Sequence, residues 1–535
     1  MTRRHWLILS CIIVLAGAAV VRTPAQSRSA PFDLEEASIA DLQRRMETGQ
    51  DTARSLVEKY SARIEAIDRS GPTLRSIIEM NPEALAIADR LDAERKAGRS
   101  RGPLHGIPVL IKDNIATSDR MMTTAGSLAL AGSHPPKDAF IAARLREAGA
   151  VILGKTNLSE WANFRSTHST SGWSGRGGLA KNPYALDRNT SGSSSGSGAA
   201  IAANLAAAAI GTETDGSIVS PSNTNGLVGI KPTLGLLSRA GIVPIAHSQD
   251  TAGPMTRTVA DAAALLGALI GVDPDDAATR ASATKSAPDY TRFLDANGLK
   301  GARIGVVRNR LFGSNPAADR LAQSAIDDIK KAGAIIVDPA NIPTLGQFDD
   351  TEFEVLLFEF KADLNKYLTW LGGASPVHSL KDIIAFNDAH AAEELPYFGQ
   401  EIMTMAEAKG PLTDAKYRAA LAKNHRLSRT MGIDAVMTQH RLDALVAPTG
   451  GPAWLTDLVN GDSGTGSAPG PSTVAAVAGY PHITVPAGFV RGLPVGISFF
   501  GRAWSEPTLI KLAYAYEQAT KHRRPPMFKP TADLK

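Results

Sequence analysis

The sequence predicts an α/β fold, one large sheet covered by helices on both faces. Three observations predict it. Short apolar runs at residues 109–111 and 151–153, closed by Gly and Pro, read as buried strands. A helix-spaced segment at 139–148 lies between them, giving strand–helix–strand order. No internal repeat or long linker divides the 535 residues. One many-stranded sheet therefore accounts for the chain better than the several domains its length alone would suggest.

The elements follow in order. Arg3 and Arg4 precede an apolar run over 6–21, and Thr23-Pro24-Ala25 supplies small residues for cleavage. This is the layout of a secretory signal peptide over 1–25; the run falls short of the ~20 residues a spanning helix needs. Thr2-Arg3-Arg4 also suits twin-arginine export. An exported protein, periplasmic or secreted, is expected. Residues 26–37 read as a flexible leader, 38–525 as the folded domain and 526–535 as a tail. Ser38 opens a helix whose apolar spacing runs from Leu42 through Leu56, Tyr60 and Ile64 to Ile67, and a second helix is expected over 82–96. Residues 199–209 are almost all small and apolar and read as a helix packed against other backbones. A strand is expected at 302–307, helices over 348–429, core strands at 442–447, 483–485 and 495–500, and a closing helix at 509–520.

Cys11 is the one cysteine, and it lies in the signal segment. The mature chain then has no disulfide, thiolate metal site or cysteine nucleophile. The net charge of +4 falls to about +1 once Arg3, Arg4 and Arg22 are removed, a balance that points to no nucleic-acid partner and no anionic membrane.

Several motifs compete for the chemistry. Residues 149–156 match a phosphate-binding loop literally, but their middle is an apolar strand where that loop needs an open turn. Gly192-Ser193-Ser194-Ser195-Gly196 matches a nucleophile elbow with Ser194 at its tip, yet 182–189 before it reads as loop, where the elbow needs a strand. A Gly/Ser linker is the plain alternative, but this run enters a core-type helix. Lys112 ends the apolar run from Ile107. It either pairs with Asp113 or is neutralised by burial and acts as a base near neutral pH. Ser217 follows Asp215-Gly216, 24 positions after Ser193. A glycine turn there can expose a hydroxyl and aim successive amides at one point. His105, His247 and His482 lack a context that marks a triad, and they read as structural or surface residues. Together Lys112 and the two serines suit acyl transfer without histidine.

On these residues the chain resembles the amidase signature family. Lys112, Ser193 and Ser217 match its Ser–Ser–Lys motifs, including the serine spacing. Residues 154–160, 228–233, 250–255 and 480–486 also look like the family, and the likeness extends over about 40–525. Within the family the chain is most similar to the bacterial peptide amidase branch, through 159–165, 171–174, 212–217 and 503–507. The resemblance implies a single α/β domain with a mixed central sheet and a hydrolase that uses no metal or cofactor. It implies that Ser217 is the nucleophile, Ser193 the bridging serine and Lys112 the base. The oxyanion would be held by the amides of Thr214, Asp215, Gly216 and Ser217, and Ser194 would help orient the network. The substrate would be a small-molecule or peptide carboxamide, most readily the C-terminal amide of a peptide, with release of ammonia, and the enzyme a monomer. Ser171, Trp173 and Phe164 are candidate substrate contacts, with Trp161 beside them; core packing is the alternative for the aromatics. Asp215 departs from the family's usual glycine, Val219 from its common arginine, and Ser195 from a glycine. Competing readings are an amidase for small aryl or aliphatic amides and a non-catalytic periplasmic binding protein. A glutaminase-like subunit acting with tRNA fits poorly with export.

Overall fold

The computed structural model describes residues 32–462 and 470–534. The expected signal peptide and the first part of the leader lie outside them. Among the described residues the strands are β1 Ile77–Met80, β2 Pro108–Lys112, β3 Val151–Thr156, β4 Trp173–Ser174, β5 Gly178–Leu179, β6 Ala208–Glu213, β7 Val228–Lys231, β8 Thr251–Thr256, β9 Arg303–Val306, β10 Ile335–Val337, β11 Ala444–Pro448, β12 His482–Val490 and β13 Leu493–Phe500. β4 and β5 form a small hairpin, and the other strands make one 11-stranded sheet in the order β1-β3-β2-β6-β8-β7-β12-β13-β11-β9-β10. The sheet is mixed: β2 runs parallel to β3 and β6, and β9 parallel to β10 and β11, whereas β6–β8, β8–β7, β7–β12, β12–β13 and β13–β11 are antiparallel.

The central strands are buried from end to end because helices cover both faces. Every residue of β2, β3, β6 and β8 is buried. Helix Phe140–Glu147 connects near the β2–β3 pair as expected, and Glu506–Thr520 closes the chain. The segment 348–429 is helical, led by Asp349–Leu371. The run 149–156, set aside as a phosphate loop, is a buried turn and strand β3.

Two expectations are corrected. The helix expected from 38 to 67 is two helices, Ile39–Glu47 and Ala53–Ile64, because Gly49 takes φ +74° and Thr52 starts a new helix by capping Ser55 N. The small-residue run 199–209 is not one helix either. Helix Ser195–Ala202 ends before Asn204 at φ +59°, and the remaining alanines enter β6. Alanine's helix preference is overridden there by a buried slot between β2 and β8. The segment read as a C-terminal tail lies along the body: Leu186 N donates to Lys529 O at 2.9 Å and Phe528 N to Pro183 O at 3.0 Å. Among the described residues, no helix is long and apolar enough to cross a membrane.

Candidate active site

Parallel neighbours end at the same edge of a sheet, where α/β enzymes place their ligands. β2 and β6 are such a pair, with Ile111 opposite Ile210. Lys112 and Thr212 therefore meet at one end. Lys112 is fully buried. Its Nζ lies 2.7 Å from Ser193 Oγ, 2.9 Å from Thr212 Oγ1 and 3.4 Å from the Thr212 carbonyl. Asp113, offered as its alternative partner, turns away to the Thr124 hydroxyl and Arg176. Burial lowers the lysine from its ordinary 10.5 to about 7, against the pull of Asp250 and Glu213. That amounts to a bias of roughly 5 kcal/mol toward the neutral amine.

The three contacts fix what a neutral amine can do. It has two N–H donors and one lone pair. The Thr212 carbonyl can only accept, so one N–H goes there. Thr212 Oγ1 also accepts from Asn114 Nδ2 at 3.0 Å, which holds the hydroxyl toward the lysine. With the second N–H on Thr212 Oγ1, the lone pair is left facing Ser193, the remaining neighbour and the one with a proton to give.

Ser193 and Ser194 lead into helix Ser195–Ala202, and the Gly192–Ser193 peptide is cis. Gly192 has no room for a side chain, since a Cβ there would come within 2.3 Å of Ser159 Oγ. Ser194 locks this segment to β6. Its hydroxyl donates to Thr212 O at 3.0 Å and accepts from Thr212 N at 3.1 Å, and its amide donates to Ser217 O at 3.1 Å. One residue, Thr212, is thus gripped by both Lys112 and Ser194.

After β6 the chain turns through 214–217 into the short helix Val219–Thr224. Glu213 makes the turn: its buried Oε2 accepts from Ile218 N at 2.8 Å and Val219 N at 3.0 Å. Gly216 supplies φ +78°, a conformation side chains rarely adopt. The amides of Asp215, Gly216 and Ser217 donate to no protein acceptor among the described residues, as an anion-binding turn requires. Thr214 Oγ1 donates to Asp250 at 2.6 Å, and Gln249 Nε2 to Thr214 O at 3.3 Å. Ser217 is 8% exposed, and among the described residues its hydroxyl has no hydrogen bond to the protein, Ser193 included. Such links are often open in a resting site and tighten when substrate arrives.

Two cavities flank the turn. One of about 590 Å³ is lined by Asn114, Thr212, Thr214, Tyr367 and Trp370 among others. The other, of about 330 Å³, is lined by Ser171, Gly192, Asp215, Gly216, Ser472 and Thr473 among others. Ser171 thus reaches a cleft. Phe164 and Trp173 line neither cavity. Phe164 stacks edge-on with Phe353 and Phe360, and Trp173 packs against Tyr397, Phe398 and the Arg165 guanidinium. Trp161 is buried in the same core. Apolar aromatics of this size find more area under the helical segment than in a narrow polar cleft.

The histidines have other partners. His105 Nε2 meets the Leu91 carbonyl, and His482 Nε2 the Ser498 hydroxyl. His247 Nδ1 lies 2.8 Å from Asp363, and Nε2 lies 3.4 Å from Glu359. This last trio has metal-compatible donors, but each ring nitrogen already faces a carboxylate, the geometry of an ion-pair network. Sequence reasoning missed Thr212, Asn114, Glu213 and Asp250. Thr212 and Glu213 lie inside the 212–217 stretch and Asp250 opens the 250–255 stretch that carry the family likeness, and Asn114 is two residues after Lys112, but no local pattern gave them a role.

A sequence profile of the amidase family matches residues 55–510. A probable amidase of Arabidopsis thaliana is 44% identical over 530 residues, covering 97% of each chain. The solved peptide amidase of Stenotrophomonas maltophilia is 52% identical, with TM-score 0.88, over 93% of this chain and 100% of that one. A structure of peptide amidase PAM with the competitive inhibitor chymostatin gives 52% identity and TM-score 0.89 over 92% of this chain and 99% of that one. With the mixed sheet and the serine turns they span, these likenesses establish that the chain belongs to the amidase signature family and is an amidase.

Proposed function

We propose that this amidase is a serine hydrolase that removes the C-terminal carboxamide of peptides and releases ammonia. The observation that carries the mechanism is the 2.7 Å contact between Lys112 Nζ and Ser193 Oγ in a site that brings the lysine to about 7. The peptide preference rests on the likeness to peptide amidase along almost the whole chain.

Ser217 attacks the amide carbon. Its proton passes to Ser193 as the Ser193 proton passes to the Lys112 lone pair. The charge on the carbonyl oxygen falls to the amides of the 214–217 turn. An amide nitrogen is a poor leaving group until it is protonated, so the relay runs backward and delivers the proton to nitrogen, and ammonia departs. Water then enters, gives its proton to the same relay, and cleaves the acyl-serine. A hydroxyl bridge suits a lysine base because lysine accepts a proton only while neutral and depends on burial to stay so.

The test is ammonia release from peptide amides, the matching free peptides, benzamide and acetamide. Turnover of peptide amides at much higher kcat/KM than simple amides is expected, and a preference for benzamide or acetamide overturns the peptide assignment. Ser217→Ala should lower kcat by about 10⁴-fold or more and abolish labelling by a fluorophosphonate. Near-normal turnover would remove Ser217 from the mechanism and leave the lysine contact without a reaction to serve. Residues 1–25 are proposed as an export signal, and N-terminal sequencing of the secreted protein should begin after Ala25.

A further inference from the structure

We propose that Asp215 is the specificity-determining residue that turns anionic substrates away: its carboxylate in the smaller cleft admits neutral and cationic carboxamides and rejects those with a carboxylate near the scissile group. This rests on the reading of Ser217 as nucleophile and of the smaller cleft as the place where substrate lies. Gly192 and Gly216, the residues next to the two serines, both line that cleft.

Three observations support the proposal. Asp215 is pinned, since Thr473 Oγ1 donates to its Oδ2 at 2.7 Å. The Ser472 hydroxyl also acts on this carboxylate, and among the described residues its buried Oδ1 makes no well-formed hydrogen bond. An unmatched buried acceptor favours a ligand that brings an N–H, such as a carboxamide or an ammonium group, and disfavours one that brings only acceptors. Finally, among the described residues the lining of this cleft includes Asp215 and Asp462 and no Lys, Arg or His. Asp462 accepts from Ser171 N at 2.9 Å and Trp454 Nε1 at 3.1 Å. The larger cavity differs, with Lys137, Arg239 and Lys366 in its wall. A carboxylate entering the smaller cleft gives up water and meets a like charge with no cation to pair it. Burial pushes the Asp215 carboxyl up from its ordinary value, against the lowering effect of the Thr473 and Ser472 hydroxyls. The same field acts on the product. Hydrolysis turns a neutral carboxamide into a carboxylate beside Asp215, which weakens product binding.

The experiment measures kcat/KM by ammonia release for N-acetylated dipeptide amides ending in leucine amide, lysine amide or glutamate amide, and for butyramide against succinamate. The native enzyme should handle the glutamate amide and succinamate at least about tenfold worse than the neutral partners, and Asp215→Asn should shrink both ratios about tenfold. Equal rates in the native enzyme, or ratios unchanged in Asp215→Asn, would overturn the proposal. If that variant does not fold, inhibition of the native enzyme decides: a product peptide acid should bind at least about tenfold more weakly than the corresponding peptide alcohol, and equal inhibition overturns the idea. Cleavage of butyramide without cleavage of any peptide amide would defeat the peptide reading alone, and the butyramide–succinamate pair would still decide the role of Asp215.

Discussion

Lys112 and Lys155 lie on adjacent parallel strands in nearly the same register, with Ile111 opposite Lys155 and Lys112 opposite Thr156. Alternation along the strands sends the two side chains to opposite faces of the sheet. Both are fully buried, and burial lowers both, Lys112 to about 7 and Lys155 to about 8. Their neighbours differ. Lys155 Nζ donates to the Ile115 carbonyl at 2.6 Å and to Thr123 Oγ1 at 2.8 Å, with Asp113 the strongest charge acting on it. Lys231 at the end of β7 repeats that pattern, with the Pro232 carbonyl at 3.1 Å and Glu213 and Glu506 acting on it. Burial depresses a lysine wherever it occurs. What sets Lys112 apart is that its Nζ faces the Ser193 hydroxyl, in a segment tied to the 214–217 turn by the Ser194 amide donating to Ser217 O. The other two serve as donors that tie loops to strand ends.

The largest expected effect breaks this contrast directly. Lys112→Met should keep the fold and lower kcat/KM by about 10³-fold or more, because the relay loses its acceptor. Lys155→Met should do the reverse. It leaves the Ile115 carbonyl without its donor and costs about 1–3 kcal/mol of stability, while the folded fraction keeps kcat/KM within about threefold. Urea melts and ammonia kinetics on both variants read the two quantities separately. Similar activity losses in both would show that any buried lysine here matters only for the fold.

A smaller effect sharpens the contrast at the atoms around Lys112. Thr212→Val preserves shape and removes the hydroxyl that Asn114 steers toward the lysine. The amine then loses one of its acceptors, so its lone pair is no longer aimed at Ser193, and kcat should fall about tenfold. Losing an acceptor also destabilises the ammonium form, so the acid limb of kcat/KM moves to lower pH. Thr212→Ser should restore both. A purely structural role for Thr212 would change kcat without moving the limb.

How much of this was legible beforehand depends on what kind of signal each residue leaves. β2, β3, β9, β11, β12 and β13 were legible because apolar runs closed by Gly or Pro carry their own boundaries. The pairing order was not, since β6 and β8 come together from either side of a turn, a helix and β7. Lys112, Ser193 and Ser217 stood out through glycine context and spacing. Yet composition and periodicity give Lys155 and Lys231 the same apolar-run signature as Lys112, and only motif resemblance separated them. Thr212 left no mark because its role comes from the meeting of β2 with β6, a register no local pattern specifies. The aromatics misled for a related reason. Trp173 and Phe164 are near the serines in sequence, but the helices after 348 fold over them and make them core.

The smallest expected effect tests whether charge or contact governs the base. Asp250 does not touch Lys112, but it is the largest charge holding the lysine up. Its carboxylate accepts from Thr214 Oγ1 at 2.6 Å and from Ile245 N and Ala246 N at 2.8 and 2.9 Å. Asparagine can keep these contacts, its oxygen on the two amides and its NH₂ on the Thr214 hydroxyl, so Asp250→Asn is a nearly pure removal of charge. Asp250 itself titrates at about 6 and is ionised across most of the limb near 7. Its negative charge favours the ammonium. Without it the neutral amine persists to lower pH, and the limb should move down by a few tenths of a pH unit at an effective dielectric near 20. In the proposed mechanism the neutral amine is the active form, so activity below pH 7 should rise relative to the plateau. The pH profile of kcat/KM, taken on a substrate without ionisable groups, reads this shift. An unmoved limb would mean that it follows a group the Asp250 charge does not reach, and Lys112 could not be the base.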